Sequence, residues 1–140
     1  MMRFLFLCLA FIIFSNSALA EKNNNLFSCT ATTGEKIKVF KYNGKFRVLI
    51  DKQVIDSRDS IKNMGEDIIK NDPDNFNYME FNAINYYITV GNLSNKNGDE
   101  SLTVSSLKNG LPSSKNKKYI CMQDYENNIS SLVDDFLATN

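Results

Sequence analysis

Histidine and tryptophan are both absent from the 140 residues of this chain. Without histidine the protein lacks Ser–His and Cys–His nucleophiles, histidine acid–base catalysis and every histidine-ligated metal site. Basic and acidic residues balance at 16 each, so no strong positive field exists to attract nucleic acid or anionic lipid. We therefore expect no nucleic-acid partner, no cofactor and no catalytic activity.

The composition is that of a globular protein, with 43% apolar and 23% charged residues. The length suits one ordinary domain and is too short for two. We expect a signal peptide at 1–20, a flexible lead-in at 21–25, a β-domain at 26–123 and a helix at 124–138.

The N-terminus has the three zones of a secretory signal peptide. Arg3 supplies the positive charge, Phe4–Phe14 the apolar core and Ala18–Ala20 the small-x-small cleavage motif. The apolar run is shorter than the ~20 residues that cross a bilayer as a helix. Cleavage between Ala20 and Glu21 is predicted, which leaves a periplasmic or secreted protein with no membrane span.

Two cysteines remain after that cleavage, because Cys8 lies inside the signal peptide. Cys29 and Cys121 stand near opposite ends of the remaining chain, and an even pair in an exported domain usually forms a disulfide. A loop of about ninety residues closed in this way contributes about 4–5 kcal/mol in the chain-entropy model. We predict the bond Cys29–Cys121.

A β-hairpin is the strongest local signal. Glu35–Tyr42 and Lys45–Ile50 flank Asn43-Gly44, a dipeptide suited to a two-residue type I′ turn. Counting outward from the turn places Val39 opposite Val48 and Ile37 opposite Ile50 on the core face. Arg47 falls on the opposite face.

Further strand patterns recur along the chain, separated by turn clusters. They predict a small antiparallel β-barrel or sandwich of about seven or eight strands. The predicted strands are Gln53–Asp56, Phe76–Phe81, Ile84–Val90, Ser101–Leu107 and Lys118–Met122. Between them we expect a short or broken helix in Ser57–Lys70 and turns at 71–75, 92–100 and 109–116.

A C-terminal amphipathic α-helix is predicted from Tyr125 to about Ala138, capped by Asp124. Its apolar stripe offers a possible partner surface, with packing on the β-domain as the alternative. The stripe comprises Ile129, Leu132, Val133, Phe136 and Leu137.

Other clusters point to chemistry only weakly. Asp72 and Asp74 have the spacing of the first two ligands of a calcium-binding loop. Phe76 stands where the third ligand should be, so no metal site is expected. The aromatic group between Phe76 and Tyr87 suits the core first and a ligand surface second. An enzyme would have to rely on a tyrosine or on carboxylates such as Glu80, Asp99 or Glu100.

Three segments form a recognisable frame: Phe27-Ser28-Cys29, Gly34–Val39 and Lys117–Cys121. The frame resembles small periplasmic β-domains of bacteria in which a cysteine of the first strand bonds to one of the last. The inhibitors of c-type lysozyme are the characterised members of that group. Their inhibitory Ser-Gly-x-x-Tyr loop has no counterpart in Ser101–Ser106, so the resemblance implies the fold and the compartment more than inhibition.

These observations favour a non-catalytic periplasmic binding or inhibitor module, which binds an unknown protein or cell-envelope ligand. The alternative is an envelope structural or assembly protein that uses the C-terminal helix as its partner surface. A small carboxylate-based enzyme is the third reading.

Overall fold

The computed structural model describes residues 24–65, 78–92 and 98–132. Alternating apolar and polar residues place more than half of the described residues in β-strands, with a short helix, α1, at Ile61–Met64. The strands are β1 Asn25–Thr30, β2 Lys36–Tyr42, β3 Lys45–Ile50, β4 Gln53–Asp56, β5 Tyr78–Asn82, β6 Tyr86–Gly91, β7 Ser101–Lys108, β8 Leu111–Ile120 and β9 Glu126–Asn127.

These strands build two antiparallel sheets, one of five strands and one of four. The five-stranded sheet has the order β4-β3-β2-β1-β9, and the four-stranded sheet has the order β5-β6-β7-β8. Both are meanders of consecutive hairpins, except that β9 returns to pair with β1. The prediction of a mainly β antiparallel fold is confirmed.

The first hairpin has the predicted register. Val39 pairs with Val48 and Ile37 with Ile50, and all four are buried. Asn43 and Gly44 both adopt positive φ, at 48° and 72°, as a type I′ turn requires.

Arg47 lies on the outer face of this hairpin. Its guanidinium donates two hydrogen bonds to the carboxylate of Asp56, at 2.7 and 2.9 Å. The same group lies 3.9 Å from the centre of the Tyr42 ring.

One hydrophobic core lies between the sheets. The rings of Phe46 from β3 and Phe81 from β5 are 5.1 Å apart, which links the two layers directly. The largest fully buried side chains come from both sheets and from the C-terminal segment: Phe27, Phe46, Leu26, Met79, Ile88, Leu102, Ile129 and Leu132.

Two single β-bridges connect the sheets at their margins. Ala31 pairs with Cys121 beside the end of β8, and Ser57 pairs with Ala83 beside the end of β5. At the second junction the Arg58 amide donates to the Asn82 carbonyl at 2.8 Å, and the buried Ser57 hydroxyl accepts from the Phe46 amide and donates to the Asp59 carbonyl. Continuous pairing does not extend from these bridges, so the sheets are not closed into a barrel.

The predicted disulfide is confirmed. Cys29 in β1 and Cys121 after β8 are bonded across 92 positions, with their Cα atoms 5.6 Å apart. The bond lies directly beside the Ala31–Cys121 bridge, so it fixes the first junction covalently.

The prediction of a C-terminal helix starting at Tyr125 is wrong. Glu126 and Asn127 form β9 and pair with Ser28 and Phe27 of β1, and helical backbone appears only at 131–132. Edge pairing with β1 satisfies backbone groups that an isolated first helical turn would leave without partners. Residues 133–138 of the predicted helix lie outside the described residues.

Two other expectations need correction, and a third is confirmed in part. The strand predicted at Ile84–Val90 begins only at Tyr86, and Ile84 is 78% exposed in the turn between β5 and β6. The turn predicted at 109–116 is only Asn109-Gly110, and β8 begins at Leu111 rather than Lys118. The helix in Ser57–Lys70 is the single turn α1, which ends at Gly65 with φ of 57°, and 66–70 lie outside the described residues.

No described helix is both long enough and apolar enough to cross a membrane.

Candidate functional site

The two sheets diverge beyond the disulfide and leave an open cleft. At the junction the Thr32 amide donates to the Ile120 carbonyl at 2.8 Å, so the end of β8 lies against the chain that follows β1. Among the described strands, the earlier part of β8 pairs only with β7. The space between this part of β8 and the near end of the five-stranded sheet is the cleft.

This β8 cleft has a volume of about 250 Å³ and a mixed lining. Ile50 and Gln53 stand on the five-stranded side. The four-stranded side supplies two aromatic rings, two lysines and small polar groups: Tyr86, Val104, Ser106, Lys115, Asn116, Lys117 and Tyr119. The lining therefore combines apolar contact with charged and hydrogen-bonding groups in similar numbers.

The register of β7 and β8 brings two lysines to the same cleft. Val104 pairs with Lys117 and Ser105 with Asn116, but Leu107 pairs with Pro112, so several residues of β8 bulge opposite Ser106. A bulge changes the direction of the side chains beside it. Lys115 at the bulge and Lys117 after it both line the cleft.

Lys117 is held in place but remains accessible. Its Nζ lies 4.7 Å from the centre of the Tyr119 ring and 3.6 Å from Oε1 of Glu35, across the cleft. The Tyr119 hydroxyl, and more weakly Glu35, raise the pKa of Lys117, so it stays protonated at neutral pH. The Lys117 side chain is 65% exposed, which leaves room for a further anion.

A second, shallow groove of about 390 Å³ crosses the outer face of the five-stranded sheet. Its polar groups already bond to one another. Lys36 Nζ donates to the Thr30 hydroxyl at 2.8 Å, and that hydroxyl donates to Asp124 at 2.7 Å. The Lys36 amide donates to Asp51 at 2.8 Å. These bonds engage Lys36, Asp51 and Asp124 in the fold, and Lys38, which also lines the groove, lies over the Phe40 ring.

A third cluster lies on the outer face of the four-stranded sheet. The carboxylate of Glu80 accepts hydrogen bonds from the hydroxyls of Tyr78 and Tyr87. Burial and the neighbouring Glu80 raise the pKa of Tyr87 far above its usual value. Tyr87 is therefore a neutral hydrogen-bond donor to Glu80 at physiological pH.

The remaining carboxylates considered from the sequence are not gathered around Glu80. Glu100 accepts a hydrogen bond from the Asn127 amide at 3.0 Å, and partial burial raises the pKa of Glu100. Asp99 is exposed. Within the described residues no group of three or more His, Cys, Asp or Glu side chains could hold a metal ion.

Two of the five residues of the possible partner surface lie within the described residues. Ile129 and Leu132 are fully buried in the core, so these two side chains stabilise the fold instead of facing a partner. Val133, Phe136 and Leu137 lie outside the described residues, as do Ala20 and Glu21 of the predicted cleavage site.

The cleft lysines were missed by the sequence reasoning because 109–116 has the composition of a turn. The available signal was the alternation in Lys115-Asn116-Lys117, which places two lysines on one face of an extended strand. Of the aromatic cluster, Phe81 is in the core, Tyr86 lines the cleft, and Tyr78 and Tyr87 bond to Glu80.

No family model matches this chain, and neither a curated protein nor a solved structure shows significant similarity to it.

Proposed function

We propose that this protein is an exported, non-catalytic binding module that holds an acidic partner in the β8 cleft. The observation that carries the proposal is the pair Lys115 and Lys117, two accessible cations in a cleft that also presents aromatic, hydroxyl and amide groups.

The physical basis is charge complementarity on a rigid frame. Ammonium groups on neighbouring same-face positions of one strand can engage carboxylates that repeat along an acidic chain. The rings of Tyr86 and Tyr119 supply apolar contact beside those charges. The Cys29–Cys121 bond holds β1 against the end of β8, which limits the ordering that binding would otherwise require.

The proposal includes export of the protein to an oxidising compartment. A disulfide is stable in an oxidising environment, and the N-terminal sequence has the zones of a signal peptide. We expect intact-mass measurement of the protein from the periplasm or the medium to give a chain that begins at Glu21. A chain that retains residues 1–20 would contradict export by this route.

The binding test uses a hexaglutamate peptide and calorimetric titration at low salt. Wild-type protein should bind it, and the double variant Lys115→Gln/Lys117→Gln should bind about tenfold more weakly, a loss of about 1.4 kcal/mol. The matched control is Lys45→Gln/Lys62→Gln, which removes the same charge from exposed positions outside the cleft. Equal binding by the two double variants, or no binding by the wild type, would overturn the proposal.

The resemblance to lysozyme inhibitors gives a separate expectation. Ser101–Ser106 lies within β7 and is paired with β6 on one side and mostly with β8 on the other, so it is not a loop that could enter an enzyme cleft. We expect the mature protein, at micromolar excess, not to slow cell-wall lysis by c-type lysozyme. Potent inhibition would point to another loop as the contact.

A further inference from the structure

The outer edge of β8 is open to another strand. β8 is the last strand of its sheet, and within the described chain no strand pairs with the edge that faces away from β7 between Pro112 and Lys118. We propose, resting on the function proposed above, that the acidic partner binds as an extended segment that adds to this edge as an antiparallel strand.

The backbone pattern identifies the groups that such a strand would use. The Ile120 carbonyl faces away from β7, because it accepts from the Thr32 amide. Backbone groups of alternate residues in a strand point to the same edge, so the N–H and C=O of Lys118 and Asn116 face the open edge too. An added strand would extend, along β8, the backbone pairing that the Thr32 amide makes with the Ile120 carbonyl.

The side chains along this edge favour an acidic occupant. Lys115 and Lys117 line the cleft, and Lys118 projects from the other face of the same strand. The chain itself supplies a precedent, since Glu35 lies three residues after Thr32 and its carboxylate is 3.6 Å from Lys117 Nζ. Main-chain hydrogen bonds would provide affinity, and the lysines would select acidic side chains.

A second copy of this chain is disfavoured by the same charges. Antiparallel pairing of two β8 edges about Asn116 would place Lys115 of each copy opposite Lys117 of the other. Like charges directly opposite each other destabilise strand pairing, and lysine on an edge strand commonly protects against self-association.

The test compares two eight-residue peptides with identical charge. In the first, glutamate alternates with valine; in the second, the valine amides are N-methylated so that they cannot donate. We expect the wild-type protein to bind the methylated peptide about tenfold or more weakly, because each lost backbone hydrogen bond weakens binding severalfold. Equal binding of both peptides would overturn strand addition while leaving the anion site intact.

Variants of the protein test the backbone groups of β8 itself. Asn116→Pro removes an amide that faces the open edge and keeps both cleft lysines, so it should weaken binding of the unmethylated peptide. Asn116→Ala also removes the side chain but keeps that amide, so Asn116→Pro should bind the unmethylated peptide more weakly than Asn116→Ala does. If Asn116→Pro fails to fold, the methylated peptide still decides the question on the wild-type protein.

These experiments distinguish failure of the proposed function from failure of strand addition. No binding of either peptide or of hexaglutamate would reject the proposed function and this inference together. A dimer of the peptide-free protein in analytical ultracentrifugation, lost in Asn116→Pro and kept in Asn116→Ala, would assign the edge to a second copy and overturn the acidic partner.

Discussion

At the scale of single residues, Asp124 accepts a backbone hydrogen bond, as the sequence suggested, but the bond does not start a helix. Aspartate readily accepts bonds from backbone amides, which is why the sequence suggested a helix cap. In the structure Asp124 accepts from the amide and the hydroxyl of Thr30, at 3.1 and 2.7 Å. It therefore fastens the segment before β9 to β1 instead of starting a helix.

This role gives a pH-dependent prediction. The hydrogen bonds from Thr30, with Lys36 nearby, hold the pKa of Asp124 below its usual 3.8. A carboxyl group whose pKa is depressed by folding stabilises the protein above its unfolded pKa, and this contribution is lost as the pH falls through the folded value. Asp124→Ala should therefore lower the urea midpoint at pH 7 by more than it does at about pH 2.5.

The exposed Asp99 provides the control, because within the described residues its carboxylate makes no hydrogen bond or ion pair. The effect of Asp99→Ala on the urea midpoint should be small at both pH values. An Asp124→Ala midpoint that matches the wild type at pH 7 would contradict the stabilising role of these bonds.

At the scale of elements, local signals were sufficient for some strands and misleading for others. The hairpin β2–β3 depends on Asn43-Gly44 and on alternation within a few residues, so both its turn and its register could be predicted. For β8, Gly110 and Pro112 suggested a longer turn. Pro112 is instead near the start of an edge strand, where a missing amide is tolerated.

The cleft could not be predicted from such signals. Its lining combines β3, β4, β6, β7 and β8, and the positions of Lys115 and Lys117 depend on a bulge between β7 and β8. Neither the separation of the two sheets nor that bulge is encoded within a short window of sequence. The C-terminal stripe was ambiguous for a similar reason, because burial of Ile129 and Leu132 requires the distant strand β1.

The C-terminal segment gives a prediction at this scale. Leu132 is fully buried, so Leu132→Ala should destabilise the protein by about 2–5 kcal/mol in urea unfolding. Ser130→Ala, at an exposed position in the same segment, should change stability by less than about 0.5 kcal/mol. Wild-type stability of Leu132→Ala would mean that this segment serves a partner rather than the core.

At the scale of the whole molecule, two single-bridge junctions connect the sheets in the part of the chain that the structure describes, and one of them is also covalent. The Ser57–Ala83 junction depends on hydrogen bonds, whereas the Ala31–Cys121 junction also has the disulfide. The pairing of Cys29 with Cys121 was predictable because they are the two cysteines outside the predicted signal peptide. The position of the second junction was not, because no sequence feature links Ser57 with Ala83.

Removal of the disulfide should have a large effect. For the double variant Cys29→Ala/Cys121→Ala we expect a loss of about 4–5 kcal/mol in the free energy of unfolding, by the chain-entropy model. Such a loss approaches the entire stability of many small domains. Reduced wild-type protein should behave like the double variant, and an unchanged denaturation midpoint in either would contradict the prediction.

The return of β9 to β1 has a consequence for the order of events during synthesis. A polypeptide emerges from its N-terminus, so β1 is made early and can meet β2 at once. Its other neighbours, the segment around Cys121 and β9, arrive only about ninety residues later. Until then β1 has an open side and Cys29 a reactive thiol, so a prematurely terminated chain stays recognisable to proteases and thiol oxidoreductases as unfinished.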